Sequence, residues 1–145
     1  MPSARHSTEI DATPEQVLSV ISDFSSYKDF IPEIEDCVLV DEAETSWDVR
    51  FTLKLVKRFR YVLRMDKSNP NAIRWKLLEG MFKSNDGGWD LEPIDGGKRT
   101  RATYFIDINV GMFVPSSIMR NAVSRSLPDT VQRFKDETER RFPTS

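Results

Sequence analysis

From Trp47 to Leu77 the chain alternates between apolar and mostly charged residues with a period of two. Trp47, Val49, Phe51, Leu53 and Leu55 alternate with Asp48, Arg50, Thr52 and Lys54. Phe59, Tyr61, Leu63 and Met65 then alternate with Arg58, Arg60 and Arg64. A strand points successive side chains to opposite faces, so each segment predicts a strand with one apolar and one cationic face. The short link through Val56, Lys57 and Arg58 predicts a hairpin, and Ser68, Asn69, Pro70 and Asn71 predict a turn. Ile73, Trp75 and Leu77 carry the apolar face into a third strand, with Arg74 and Lys76 opposite. Asn85 to Gly88 and Asp95 to Gly97 supply residues that accept positive φ, and both are read as turns bounding a strand with Trp89 and Leu91. Ala102, Tyr104, Ile106, Ile108 and Val110 make a last strand.

Helical spacing occurs at the two ends of the chain. A first strand near Arg5 to Ile10 leads to Thr13, which is placed to cap a helix, with Pro14 at its first position and Gln16 able to complete a capping box. Val17, Leu18, Val20, Ile21 and Phe24 give that helix an apolar side. Tyr27 to Ile31 predicts a second short helix ended by Pro32, and Ile34 to Val40 a strand. Beyond Gly111, Ile118, Met119, Ala122, Val123, Leu127, Val131, Phe134 and Phe142 recur at helical intervals, which predicts one long C-terminal helix. Pro128 falls inside it and removes a hydrogen bond to Ser124, at about 3 kcal/mol if the helix stays straight, so a kink is expected. The order is strand, two helices, six strands, helix. It describes an α+β domain spanning residues 1–145, a curved antiparallel sheet of about seven strands gripping the long helix.

Composition narrows the chemistry. With 145 residues, 39% apolar and 30% charged, the chain suits a soluble, folded domain. Cys37 and His6 are the only cysteine and histidine. They make neither a disulfide nor a multi-histidine metal site, and no cofactor motif occurs. A lone cysteine suits a reducing compartment, so a cytoplasmic protein is expected. No stretch of about 18 apolar residues spans a membrane and no signal sequence is seen. The net charge of −2 hides a segregation: the charges from Asp29 to Asp48 are all acidic, while Arg50, Lys54, Arg58, Arg60, Arg64, Arg74 and Lys76 follow, opposed in that stretch by Asp66. Such a block suits RNA or an anionic membrane surface to which the protein is peripheral; it equally suits a solvated outer face whose charges pair elsewhere.

Several local signatures carry a family resemblance: Ile10 to Val17, Ile21 to Phe24 with Tyr27, Phe30 and Pro32, and the stretch from Trp75 to Trp89 with Glu79, Gly80, Phe82, Lys83 and Gly88. In these the chain resembles, over nearly its whole length, the START-like (SRPBCC) superfamily with the helix-grip fold, most closely the polyketide cyclase/dehydrase and coenzyme Q-binding branch. The resemblance implies a hydrophobic or amphipathic ligand, such as a lipid, polyprenyl quinone or polyketide, held between sheet and helix by a carrier, sensor or chaperone. Parity places Phe51, Leu53, Tyr61, Leu63, Trp75, Leu77, Trp89, Tyr104 and Ile106 on the sheet's side of that space. Met119, Val123 and Leu127 face it from the helix, with Tyr27 and Phe30 near its mouth. The same side chains suit a filled core, since periodicity does not separate packing from a cavity. An enzyme of the cyclase or dehydrase type would need an inward acid or base, for which Tyr61, Tyr104 and Glu79 are the candidates. Phe24, Tyr27, Phe30 and Ile31, with the helix near Pro128, are the expected gate.

Overall fold

A computed structural model of the chain describes residues 3–54, 57–111 and 114–143. Leu55 and Val56, on which part of the predicted hairpin falls, lie outside the described residues. Seven strands form one antiparallel sheet: β1 (Ser3–Ile10), β2 (Ile34–Glu42), β3 (Ser46–Lys54), β4 (Arg58–Asn69), β5 (Ala72–Gly80), β6 (Ser84–Ile94) and β7 (Arg99–Asn109). Their order across the sheet is β1-β7-β6-β5-β4-β3-β2, so six strands meander and the first returns beside the last. Two helices, α1 (Pro14–Ile21) and α2 (Tyr27–Phe30), follow β1, and α3 (Ser116–Arg141) closes the fold. This is the helix-grip arrangement expected from the order of elements.

Local chemistry sets the helix boundaries. The Thr13 hydroxyl accepts from the Gln16 amide at 3.2 Å, while the Gln16 side chain accepts from the Thr13 amide at 3.0 Å, so both halves of the predicted capping box form. The apolar side of α1 buries Val17, Val20 and Ile21 against the sheet. α3 remains one helix through Pro128. Pro128 is on the solvent side of α3, so the carbonyl it leaves without an amide partner is that of exposed Ser124. The helix is fastened at its C-terminal half: Lys135 donates to the Glu9 carbonyl at 2.7 Å, Glu139 accepts from the Asp11 amide at 2.9 Å, and Arg141 meets Asp23 at 2.9 Å. Ile118, read from spacing as part of the buried stripe, is 48% exposed, because the helix's first turn presents Met119 to the interior instead.

Two departures from the sequence reading shape the interior. Asn85 to Gly88 form no turn; they lie inside β6 and pair with β7 from Asn85↔Ile108 to Gly88↔Phe105. The glycines are required by crowding. A Cβ on Gly88 would lie 2.1 Å from the Ile73 carbonyl oxygen, and one on Gly87 would lie 2.4 Å from that of Phe105 and 2.7 Å from the Trp75 indole. The chain turns earlier, after Gly80, whose φ of +136° only glycine adopts freely. β5 also carries one extra residue, since Val62 pairs with Glu79 but Leu63 with Leu77, which leaves Leu78 unpaired on that side.

Candidate functional site

Between the concave face of the sheet and α3 lies a cavity of about 120 Å³. That is room for several water molecules, and less than the roughly 300 Å³ at which pockets for drug-sized ligands begin. Its walls are aromatic. Phe51 and Tyr61 stack with ring centroids 5.3 Å apart, while Trp75 and Trp89 flank Tyr104 at 5.5 and 4.9 Å. Phe134 reaches up from α3 and meets Trp89, Tyr27 and Phe30 edge-on at 5.1, 5.3 and 5.3 Å.

Of the residues expected at the site, Tyr27, Phe51, Leu53, Tyr61, Leu63, Trp75, Trp89, Tyr104, Ile106, Val123 and Leu127 are brought together around the cavity. Three are not. Phe30 packs behind the wall against Phe134 and Tyr27. Met119 is fully buried but sits toward the start of α3, away from the open space. Leu77 packs against the core opposite Leu63 without lining the open space, and it also borders a groove where β5 has left β6. Glu79, the inward carboxylate candidate, is exposed: the extra residue at Leu78 reverses the parity that had placed it beside Trp75 and Leu77.

The cavity also has polar groups that the alternation did not signal. Glu33 borders it, with its Oε2 buried and unbonded. Ser126 and Thr130 share the α3 stripe with Val123, Leu127 and Phe134 at helical spacing, so their signal was present in the sequence but masked by their polarity. Their hydroxyls donate to the carbonyls of Val123 (3.4 Å) and Ser126 (3.1 Å), which leaves oxygen lone pairs toward the cavity. The Trp75 Nε1 proton goes to Asn85 Oδ1 at 3.2 Å, and the Tyr27 hydroxyl donates to the Ile21 carbonyl. The hydroxyls of Tyr61 and Tyr104 have no hydrogen-bond partner among the described residues.

Burial raises the pKa of all three phenols, Tyr27, Tyr61 and Tyr104, so each stays protonated at neutral pH. Tyr61 and Tyr104 therefore keep a proton to donate and are poorly suited to act as bases. Burial, with Asp36 second, likewise raises the Cys37 thiol and keeps it unreactive. Among the described residues no group of three or more His, Cys, Asp or Glu side chains is placed to hold a metal ion.

On the convex face, the seven cationic residues are all exposed. Three are spoken for: Arg58 pairs with Glu35 at 2.9 Å, Arg64 with Asp48 at 2.8 Å and Arg74 with Asp90 at 2.6 Å. Arg50, Lys54, Arg60 and Lys76 have no ion pair among the described residues. No helix among the described residues is long and apolar enough to cross a membrane.

The architecture recurs in solved structures of low sequence identity. A START superfamily protein from Mycobacterium smegmatis superposes with a TM-score of 0.82 at 19% identity, covering 95% of this chain and 97% of that one. The Zhui aromatase/cyclase from a Streptomyces species gives 0.83 at 20% identity, with 96% and 94% covered. A STAR-related lipid transfer protein fragment from Xanthomonas axonopodis gives 0.81 at 14% identity, with 94% and 85% covered. At such identities the likeness establishes the fold. No curated protein matches the sequence. The model of the family described as polyketide cyclase / dehydrase and lipid transport matches residues 10–135, most of the chain, and the protein belongs to that family within the START-like superfamily.

Proposed function

We propose that residues 1–145 act as one ligand-binding domain that carries, senses or protects a small, mostly apolar molecule in the cavity between sheet and α3, without covalent chemistry. One observation carries this reading: the aromatic-walled space is bordered by Glu33, whose Oε2 is buried without a partner, and by the phenols Tyr61 and Tyr104. A buried polar group without a partner costs about 1–3 kcal/mol, and a ligand that bonds to it recovers that cost. The two phenols suit an acceptor such as a carbonyl, and the Glu33 carboxylate suits a hydroxyl. A cavity of about 120 Å³ favours a flat ring system or a short chain over a long polyprenyl tail. The buried Cys37 thiol is compatible with a reducing cytoplasm, where we place the protein.

Native mass spectrometry of the purified protein, followed by titration with the fluorescent apolar probe N-phenyl-1-naphthylamine, tests the reading. We expect one equivalent of a co-purifying molecule or of the probe, and loss of binding in Ser126→Trp, which fills the space from α3. An empty protein that takes up no probe refutes it. A cyclase-type reaction is the second reading, and the unpartnered Glu33 carboxylate is what favours it; Glu33→Gln would then keep binding and abolish turnover. A salt-sensitive contact with RNA or an anionic membrane would fall to the unpaired Arg50, Lys54, Arg60 and Lys76.

A further inference from the structure

The sheet is split along part of the β5/β6 edge. Pairing between β5 and β6 runs from Ala72↔Asp90 to Trp75↔Gly87 and stops there, although β5 continues to Gly80 and β6 begins at Ser84. Beyond Trp75 the two strands follow other partners, β5 along β4 and β6 along β7. The split opens as a groove on the convex face, opposite α3. Its apolar walls are Phe105 and Leu78, which is 46% exposed.

Trp75 borders both the groove and the inner cavity, and the two linings share no other residue. Its indole lies over Gly87, where a side chain would meet the ring at 2.7 Å. One hydrogen bond, from Nε1 to Asn85 Oδ1, ties it across the split to β6. Beyond that bond the indole is held by burial and by its contact with Tyr104 at 5.5 Å, with no further β5/β6 pairing past Gly87 to brace it.

The charged groups around the groove are Arg64, Arg74 and Lys76, against Asp66 and Asp86. Arg64 and Lys76 are direct cross-strand neighbours, and Arg74 and Arg5 lie over the Phe105 ring at 4.9 and 5.7 Å. Lys76 is the rim cation without an ion pair among the described residues. The groove therefore pairs an apolar floor with one cation, Lys76, whose charge no carboxylate takes up among the described residues, which suits a molecule with an apolar body and one anionic group.

We infer that the β5/β6 split is a second mouth of the cavity, shuttered by Trp75 and rimmed by Lys76 and its arginine neighbours to receive anionic apolar molecules. The inference rests on the cavity being a ligand site. An anionic ligand meets the rim first, its apolar body lies on Leu78 and Phe105, and displacement of the indole joins the groove to the cavity.

Two probes separate the parts of this proposal: anionic 1-anilinonaphthalene-8-sulfonate and uncharged N-phenyl-1-naphthylamine, each measured by equilibrium titration and stopped-flow displacement. Lys76→Glu is expected to weaken binding of the sulfonate about fivefold at low salt and to leave the uncharged probe unchanged. Trp75→Ala is expected to speed release of the uncharged probe at least fivefold. Trp75→Phe, which keeps a ring but loses the bond to Asn85, should fall between, and circular dichroism confirms that each variant is folded. Equal sulfonate affinity in Lys76→Glu, or wild-type release rates in both folded Trp75 variants, overturns the second mouth while the ligand site stands. Failure of the wild type to bind either probe overturns the ligand site, and the second mouth with it.

Discussion

Replacing Phe134 by alanine should lower stability and enlarge the cavity at the same time. The side chain is 3% exposed and meets three other rings. Truncating a buried phenylalanine costs about 3–5 kcal/mol, and the cost is high where neighbours do not collapse into the space. Here they are poorly placed to do so, because Phe134 already borders a cavity. A ring of roughly 100 Å³ at about 24 cal/mol per Å³ gives about 2.4 kcal/mol for the void alone. Loss of edge-to-face contacts, each about 0.5–1.5 kcal/mol and not additive, brings the expectation to about 4 kcal/mol. For a chain of 145 residues that lowers Tm by about 12 °C. Urea denaturation followed by circular dichroism measures the stability, and titration with N-phenyl-1-naphthylamine measures the space gained, which should tighten binding of this two-ring probe. A loss below about 1.5 kcal/mol would falsify the packing described for α3. A stability loss of the expected size with unchanged probe binding would show that the enlarged cavity is not where the probe sits.

Two further predictions concern titratable groups. The two bonds from Arg64 to Asp48, at 2.8 and 2.9 Å, lower the carboxyl's pKa in the folded protein. Its contribution is therefore complete above the ordinary aspartate value of about 4 and is lost as pH falls through the lower folded value. Asp48→Asn should flatten the fall in urea stability between about pH 5 and 2, and an unaltered slope would remove this pair from the acid response. Cys37, whose thiol is raised first by burial, should resist a disulfide reagent at pH 8 in the native protein and react at once in urea; prompt reaction without urea would mean that β2 opens in the native state.

Much of the fold was legible because local signals agreed with one another. The Thr13–Gln16 capping box, the alternation through β3 and β4 and the helical stripe of α3 each follow from a period or from a side chain reaching its own backbone. What failed was what depends on distant atoms. A Gly-Gly pair reads the same in a turn as in a strand pressed against a neighbour, and only the nearness of Ile73, Trp75 and Phe105 decides for the strand. The extra residue in β5 has no local signature, yet it turned Glu79 outward. Glu33 follows Pro32 in a connecting segment with no periodicity, so nothing in the sequence marked it as bordering the cavity.

The pairing of the first strand with the last bears on how the chain is made. Ser7 bonds to Thr103, 96 positions later, and Asp11 to Glu139, 128 positions later. During synthesis the hairpins from β2 to β6 have their partners at hand, whereas β1 and α1 emerge first and wait for nearly the whole chain to follow. The aromatic concave face is also complete before α3 exists to cover it. A ribosome stalled before α3 would present that face to solvent, so the nascent chain needs rapid completion or a holding chaperone more than the finished protein does.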